Sequence, residues 1–131
     1  MAKILLVDDE RDIVTLIQFL LVKEGHSVRT ANNGLEALKS VGIEAGGSAP
    51  ETPDVIIMDM LMPVMDGHTA CKMISEDPVI GKVPVLVMTA KGTAKDVFKD
   101  CANVAGYVDK PFAPKSLRDT VAAMIARKPG A

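Results

Sequence analysis

The sequence has 131 residues, the length of one ordinary domain and too few for two full ones. Its formal net charge is −2, and its charges are mixed along the chain, so it offers no basic face for nucleic acid. Apolar residues make up 48% of the chain, enough for a buried core, but no apolar run approaches the roughly 20 residues of a membrane span.

The amino-terminal residues and the cysteines predict a cytoplasmic location. The opening MAKILLVDDE turns acidic where a secretory signal needs a longer apolar run and a cleavage site. Cys71 and Cys101 lie far apart without a metal-binding spacing, and we interpret them as buried reduced thiols rather than as a disulfide. We therefore expect a cytoplasmic protein that does not contact a membrane.

Five short segments have the composition of β-strands. The first, third and fourth are apolar at nearly every position, which is typical of parallel strands covered by helices on both faces. The segments are Lys3–Val7, Ser27–Ala31, Asp54–Asp59, Val83–Met88 and Gly106–Val108.

Helical patterns separate these strands. Apolar residues at helical spacing predict a first helix of about residues 12–24, which Gly25 ends. A second helix opens after Asn33, a candidate N-cap, with Glu36 three residues later as in a capping box. The apolar residues of the first helix are Ile13, Leu16, Ile17 and Leu20.

Three further helices complete the pattern. A third follows Gly67, a fourth starts near Thr93, and a fifth begins at Pro114, since proline is favoured at the first helical position. The alternation of strands and helices predicts an α/β fold, with a parallel sheet, helices on both faces and right-handed crossovers.

One connection is longer than this pattern requires. The stretch IEAGGSAPETP, Ile43–Pro53, contains glycines, prolines and small polar residues without an apolar period. Connections in such folds usually span about 2–6 residues. We interpret the stretch as a surface insertion, with a contact to a specific partner as the alternative.

Chemically distinctive residues follow four of the strands at their carboxyl ends, the edge where open parallel sheets bind ligands. This arrangement predicts one crevice that holds several carboxylates, a hydroxyl and an ammonium group. The residues are Asp8, Asp9 and Glu10 after the first strand, Asp59 at the end of the third, Thr89 after the fourth and Lys110 after the fifth.

Carboxylates crowded into one crevice repel one another. At an effective dielectric constant near 20, each close pair costs on the order of 4 kcal/mol. They coexist if they are protonated or bridged by a cation, for which Lys110 and a divalent metal are the candidates, and oxygen ligands with several waters suit Mg²⁺. The preference of helix N-termini for acids would explain the triplet of residues 8–10 alone, but not Asp59 and Lys110 at the same edge.

Four segments resemble the receiver domain of two-component response regulators: LLVDDE, DVIIMDMLMPVMDG, VLVMTA and GYVDKPF. The resemblance covers essentially the whole chain. It implies a flavodoxin-like, doubly wound, five-stranded parallel sheet of order 2-1-3-4-5 with five helices. It also implies a receiver domain at residues 1–128, a short tail at 129–131 and no output domain. A receiver cut from a longer response regulator or hybrid kinase is the alternative.

The resemblance assigns metal and phosphoryl chemistry to individual residues. Asp59 would accept a phosphoryl group from the phosphohistidine of a sensor histidine kinase or a histidine phosphotransfer protein. Asp9 would bind Mg²⁺ directly and Asp8 through water, while Asp59 and the backbone carbonyl of Leu61 would complete the protein ligands. Mn²⁺ is the expected substitute for Mg²⁺.

The remaining assignments concern the response to phosphorylation. Lys110 would pair with Asp59 and then with the phosphoryl oxygens, Thr89 would donate its hydroxyl to the phosphoryl group, and Tyr107 would swing inward on activation. The domain would catalyse only its own phosphorylation and dephosphorylation. Its output would be a changed surface recognised by a downstream protein target, without direct nucleic-acid contact.

Two functions of other classes fit the sequence less well. Mg²⁺-dependent phosphatases with an aspartate nucleophile typically carry a second carboxylate two residues later, where this sequence has Leu61. A flavin-binding domain of the same topology needs a Ser/Thr-rich phosphate loop after the first strand, where this sequence is acidic. A colourless preparation would exclude the flavin domain.

Overall fold

Parallel strands are the framework of the computed structural model, which describes residues 2–40, 52–59, 67–77, 80–90, 104–110 and 113–126. The strands are β1 (Lys3–Val7), β2 (Ser27–Ala31), β3 (Val55–Asp59), β4 (Val85–Ala90) and β5 (Val104–Lys110). Every pairing is parallel, and the order in the sheet is β2-β1-β3-β4-β5. The predicted sheet and its strand order are confirmed.

Helices flank the sheet. The described residues contain four α-helices and not the five predicted, because the helix expected near Thr93 lies outside the described residues, as does most of the predicted insertion at 43–53. None of the helices in the described ranges has the length and apolar character needed to cross a lipid bilayer. The helices are α1 (Arg11–Lys23), α2 (Gly34–Ser40), α3 (Gly67–Ser75), the 3₁₀ helix Ile80–Lys82 and α4 (Pro114–Ala126).

Strand β5 is longer than the three residues predicted for it. It pairs with β4 from Val104, opposite Val85, to Lys110, opposite Ala90, and a shift in register between Val85 and Leu86 accommodates Ala105 as an extra residue. An edge strand pairs through its backbone, so polar residues do not end the pairing as they end an apolar pattern in the sequence.

Two hydrophobic cores lie on opposite faces of the sheet because side chains alternate along each strand. In β1, Leu5 and Val7 enter the core beneath α2 and α3, whereas Ile4 and Leu6 enter the core beneath α1 and α4. We call these the α2/α3 core and the α1/α4 core. Strands β3 and β4 alternate in the same way, which explains why their sequences are apolar throughout.

Helix α1 shows a different apolar stripe from the one that its sequence predicted. Ile17 and Leu21 are fully buried in the α1/α4 core, but Leu16, predicted to face inward, is 41% exposed. Phe19 and Val22 are also exposed. Because eight of the thirteen residues of this helix are apolar, their spacing does not fix which side faces the sheet.

Helix α2 begins as the sequence predicted. Asn33 precedes its first residue, and the Asn33 side-chain oxygen accepts a hydrogen bond from the Glu36 backbone N–H at 2.9 Å. The Glu36 carboxylate accepts a bond from the backbone N–H of Asn32 at 3.3 Å. This reciprocal pair satisfies backbone donors that the first turn of a helix leaves unpaired.

The start of β1 is fastened to the turn after α1. The Ala2 backbone N–H donates to Nδ1 of His26 at 3.2 Å, and the Ser27 N–H donates to the Ala2 carbonyl at 2.8 Å. Burial lowers the pKa of His26, the positive amino terminus lowers it further, and the Glu24 carboxylate opposes both effects. The fold therefore favours the neutral imidazole, which is the form that can accept the Ala2 bond.

Helix α1 ends in a Schellman motif at Gly25. The Gly25 N–H donates to the Val22 carbonyl at 2.9 Å, and the His26 N–H donates to the Leu21 carbonyl at 3.1 Å. Gly25 has a φ of +92°, which L-residues with a side chain rarely adopt. The predicted end of the helix is confirmed.

We expect Gly25→Ala to lower the free energy of unfolding by about 1–2 kcal/mol, because alanine is strained at positive φ. An added Cβ would have no atom within 4 Å, so the loss would come from the backbone rather than from a clash. Urea denaturation measures the effect, and Gly25→Asn is the matched control, since asparagine tolerates this conformation better. Equal stability of the alanine variant and the parent protein would contradict the assignment.

Candidate functional site

Two buried carboxylates meet at the carboxyl edge of the sheet. Strands β1 and β3 pair with Val7 opposite Met58, so Asp8 and Asp59, each one residue later, come side by side. Asp8 is 0% exposed and Asp59 is 4% exposed, and they are the only buried charged side chains in the described part of the chain. Ionised carboxylates are almost never this buried without a compensating charge, so the pair marks a candidate site.

The turn between β1 and α1 holds Asp8 in place. The Asp8 backbone N–H donates to the Ala31 carbonyl of β2 at 3.1 Å, and the Glu10 N–H donates to Oδ1 of Asp8 at 2.8 Å. Glu10 is the N-cap of α1, and its carbonyl accepts the Val14 N–H at 3.0 Å. A side chain that accepts a bond from the backbone two residues later forms an Asx turn, which fixes its orientation.

A third carboxylate completes the cluster. Asp8, Glu10 and Asp59 each offer an oxygen, and these oxygens lie within 4.8 Å of one another. Three negative charges at this spacing are stable together only with a cation or a proton between them. Carboxylate oxygens are the ligands that hard divalent cations such as Mg²⁺ prefer, so this donor set is compatible with a divalent metal.

Asp9 and Glu10 differ in their relation to the carboxylate cluster. Asp9, the expected direct metal ligand, is exposed and is not a member of the cluster; it lines a neighbouring cavity of about 350 Å³ together with Asp8, Arg11, Val14 and Asn32. Glu10, which the sequence offered only as one of three consecutive acids, is a member. No motif signals this difference, since it depends on the direction of each side chain in the turn.

The other predicted residues are positioned through the strands that carry them. Asp59 pairs with Met88, the residue before Thr89, and Ala90 pairs with Lys110. The backbones of Thr89 and Lys110 therefore lie at the same edge of the sheet as Asp59. Leu61, whose carbonyl was predicted to bind the metal, lies outside the described residues.

Tyr107 lies in β5, three residues before Lys110 at this edge of the sheet. It is opposite Val87 in the β4–β5 pairing, is half-buried, and packs against the α2/α3 core. Its neighbour Val108 is buried in the α1/α4 core on the other face. The ring is thus partly in the core and partly at the surface, an arrangement compatible with the predicted inward movement, which stays a prediction.

Comparison with known proteins identifies the family. The family model described as the response regulator receiver domain matches residues 4–122. The chain is 37% identical over 126 residues to the alkaline phosphatase synthesis transcriptional regulatory protein PhoP of Bacillus subtilis, covering 95% of this chain and 49% of PhoP. It is 32% identical over 127 residues to protein PilH of Pseudomonas aeruginosa, covering 96% of this chain and 99% of PilH.

Solved structures agree with the sequence relatives. A putative response regulator from Chloroflexus aurantiacus has a TM-score of 0.83 and 33% identity, with 96% of this chain and 98% of that chain covered. The chemotaxis response regulator CheY4 of Vibrio cholerae has a TM-score of 0.83 and 32% identity, with 95% and 98% covered. This chain spans about half the length of the first curated relatives that it matches.

Receiver domains are signalling modules rather than classical enzymes, and they interact with histidine kinases and downstream targets. The buried carboxylate pair at the sheet edge, the strand order and the extent of both comparisons lead to one conclusion: this chain belongs to the receiver domain family of two-component response regulators.

Proposed function

We propose that this receiver domain is switched by transfer of a phosphoryl group to Asp59 from a phosphohistidine on a sensor histidine kinase or a histidine phosphotransfer protein. One observation carries the proposal: Asp59 is buried at the carboxyl edge of the sheet, within 4.8 Å of two other carboxylates, in a member of this family. A structural role alone would not favour three anions at one edge.

The carboxylate cluster supports a divalent cation as the cofactor, with Mg²⁺ the first candidate and Mn²⁺ the substitute. Asp9 would bind it directly, Asp8 through water, and Asp59 and the carbonyl of Leu61 would complete the ligands. The position of Asp9 at the opening that Asp8 also lines is compatible with this role. When bound, the cation would supply positive charge to the phosphoryl oxygens.

The transfer itself needs few protein groups. An oxygen of Asp59 forms a bond to phosphorus while the phosphorus–nitrogen bond of the phosphohistidine breaks, and the electron pair stays on the imidazole nitrogen. Lys110 neutralises charge on the phosphoryl oxygens, and Thr89 donates its hydroxyl to one of them. An ionised carboxylate is already nucleophilic, so the site requires no histidine, serine or cysteine as base.

The outer face of α1 is the proposed docking surface for the phosphodonor protein. Leu16, Phe19 and Val22 recur every three residues and are 41%, 65% and 53% exposed. A groove of about 430 Å³ runs beside them, lined by Thr15, Gln18, Phe19, Val22 and Lys23. Because α1 begins directly after Glu10, a helical partner on this face would border the carboxylate cluster.

Phosphorylation of Asp59 would affect the receiver domain beyond the site itself. Residues 1–128 act as the receiver, and phosphorylation changes a surface that a downstream protein target in the cytoplasm recognises. The domain catalyses its own phosphorylation and dephosphorylation and no other reaction. Tyr107, packed against the α2/α3 core beside the edge, moves inward when Thr89 turns toward the phosphoryl group.

Incubation with acetyl phosphate and Mg²⁺ tests the phosphoryl-acceptor role. We expect intact-protein mass spectrometry to show the gain of one phosphoryl group, because acetyl phosphate is a small phosphodonor that needs no partner protein. Asp59→Asn should abolish the gain, whereas Asp12→Asn, which removes an exposed acid from the first turn of α1, should retain it. Undiminished phosphorylation of Asp59→Asn would refute the proposal.

Thermal unfolding tests whether the carboxylates of the site repel one another and whether Mg²⁺ relieves this repulsion. In EDTA, we expect Asp59→Asn to raise the free energy of unfolding by on the order of 1 kcal/mol or more, because one of three repelling carboxylates becomes neutral. Mg²⁺ at ten times its dissociation constant should stabilise the parent protein by about 1.4 kcal/mol and the variant by much less. The exposed-site variant Asp12→Asn is the control. Equal Mg²⁺ stabilisation of all three proteins would contradict a cation at Asp59.

Intrinsic fluorescence tests the movement of Tyr107. The sequence has one tyrosine and no tryptophan, so tyrosine emission reports on this ring alone. With Mg²⁺ and beryllofluoride, a mimic of the phosphoryl group, we expect acrylamide to quench the emission less, because the half-buried ring becomes more enclosed. Thr89→Ala and Asp59→Asn should each remove the change. Unaltered quenching in the parent protein would argue for a static ring.

A further inference from the structure

We propose that the Glu10 carboxylate is a ligand of the divalent cation, in addition to Asp8, Asp9 and Asp59. This inference rests on the proposed function, because it concerns the cation that the carboxylate cluster would hold. Its basis is the position of Glu10: its carboxylate is within 4.8 Å of the carboxylate oxygens of Asp8 and Asp59.

The local backbone brings Glu10 to the cluster. Glu10 is the N-cap of α1, yet its side chain makes no capping hydrogen bond to the helix. Instead its backbone N–H donates to Oδ1 of Asp8 at 2.8 Å, so the turn that fixes Asp8 also fixes the Glu10 backbone next to it. The first turn of α1 therefore begins at the site, and the Glu10 side chain serves the cluster rather than the helix end.

The spacing of the three carboxylates fits shared coordination. Two oxygens bound directly to one octahedral Mg²⁺ at about 2.1 Å lie about 3–4.2 Å apart. The oxygens of Glu10 and Asp59 lie within 4.8 Å of one another, at most about 0.6 Å beyond this range, and Asp8, which would bind through water, does not have to meet it. Glutamate has one more rotatable bond than aspartate, and a small rotation of the exposed Glu10 side chain closes the difference.

The three side chains of the cluster differ in their exposure to solvent. Asp8 and Asp59 are buried beneath the edge of the sheet, and Glu10 is exposed above it. Within the cluster, Glu10 is thus the carboxylate that a cation arriving from solvent meets first. It adds a full negative charge to the site without the desolvation that a third buried carboxylate would require.

Titration of the protein with Mn²⁺ tests this assignment without any activity measurement. Electron paramagnetic resonance measures the concentration of the free ion. We expect Glu10→Gln to raise the dissociation constant about tenfold. Asp12→Asn removes the same charge two residues further along and should raise it less than twofold, because Asp12 is not a member of the carboxylate cluster and its exposed charge is screened. Glutamine keeps the backbone hydrogen bonds and the size of Glu10, so folding is not at risk. Competition between Mn²⁺ and Mg²⁺ should show the same roughly tenfold difference in dissociation constant between Glu10→Gln and the parent protein.

The outcomes separate this inference from the proposed function. If the parent protein binds Mn²⁺ and takes a phosphoryl group on Asp59, but Glu10→Gln binds Mn²⁺ as Asp12→Asn does, then Glu10 is not a ligand and only this inference fails. If the parent protein does not bind Mn²⁺, both the proposed function and this inference fail. If the parent protein is phosphorylated at a residue other than Asp59, the proposed function fails.

Discussion

The parallel pairing of β1 with β3 is the constraint that creates this site. It sets Val7 opposite Met58, and the next residue of each strand is a buried aspartate. A slip of one residue would move every side chain of a strand to the other face. Both faces are covered by apolar cores that such a slip would disrupt, so packing fixes the register and the register fixes the distance between Asp8 and Asp59.

The same packing explains how a small domain tolerates crowded charge. Among the residues that the structure describes, eleven large side chains are almost fully buried, and each contributes roughly 1.5–3 kcal/mol relative to exposure. A close carboxylate pair costs on the order of 4 kcal/mol, which a few of these side chains offset. Natural proteins commonly retain such local destabilisation at functional sites.

Helix α1 connects three features of the molecule. Its N-cap, Glu10, belongs to the carboxylate cluster, its inner face places Ile17 and Leu21 in the α1/α4 core, and its outer face exposes Phe19. The Schellman motif at Gly25 then turns the chain into β2, which is paired with β1. A partner docked on the outer face would therefore contact the helix whose N-cap residue is part of the site.

Local chemistry was enough to predict the element types, the parallel sheet and the edge that carries the site. Apolar runs, the Asn33 cap and Gly25 act on their immediate neighbours, so each can be interpreted from the residues around it. The buried face of α1, the extent of β5 and the membership of Glu10 rather than Asp9 in the cluster emerged only in three dimensions. These features depend on packing between distant segments and on side-chain direction in one turn, and neither leaves a periodic pattern in the chain.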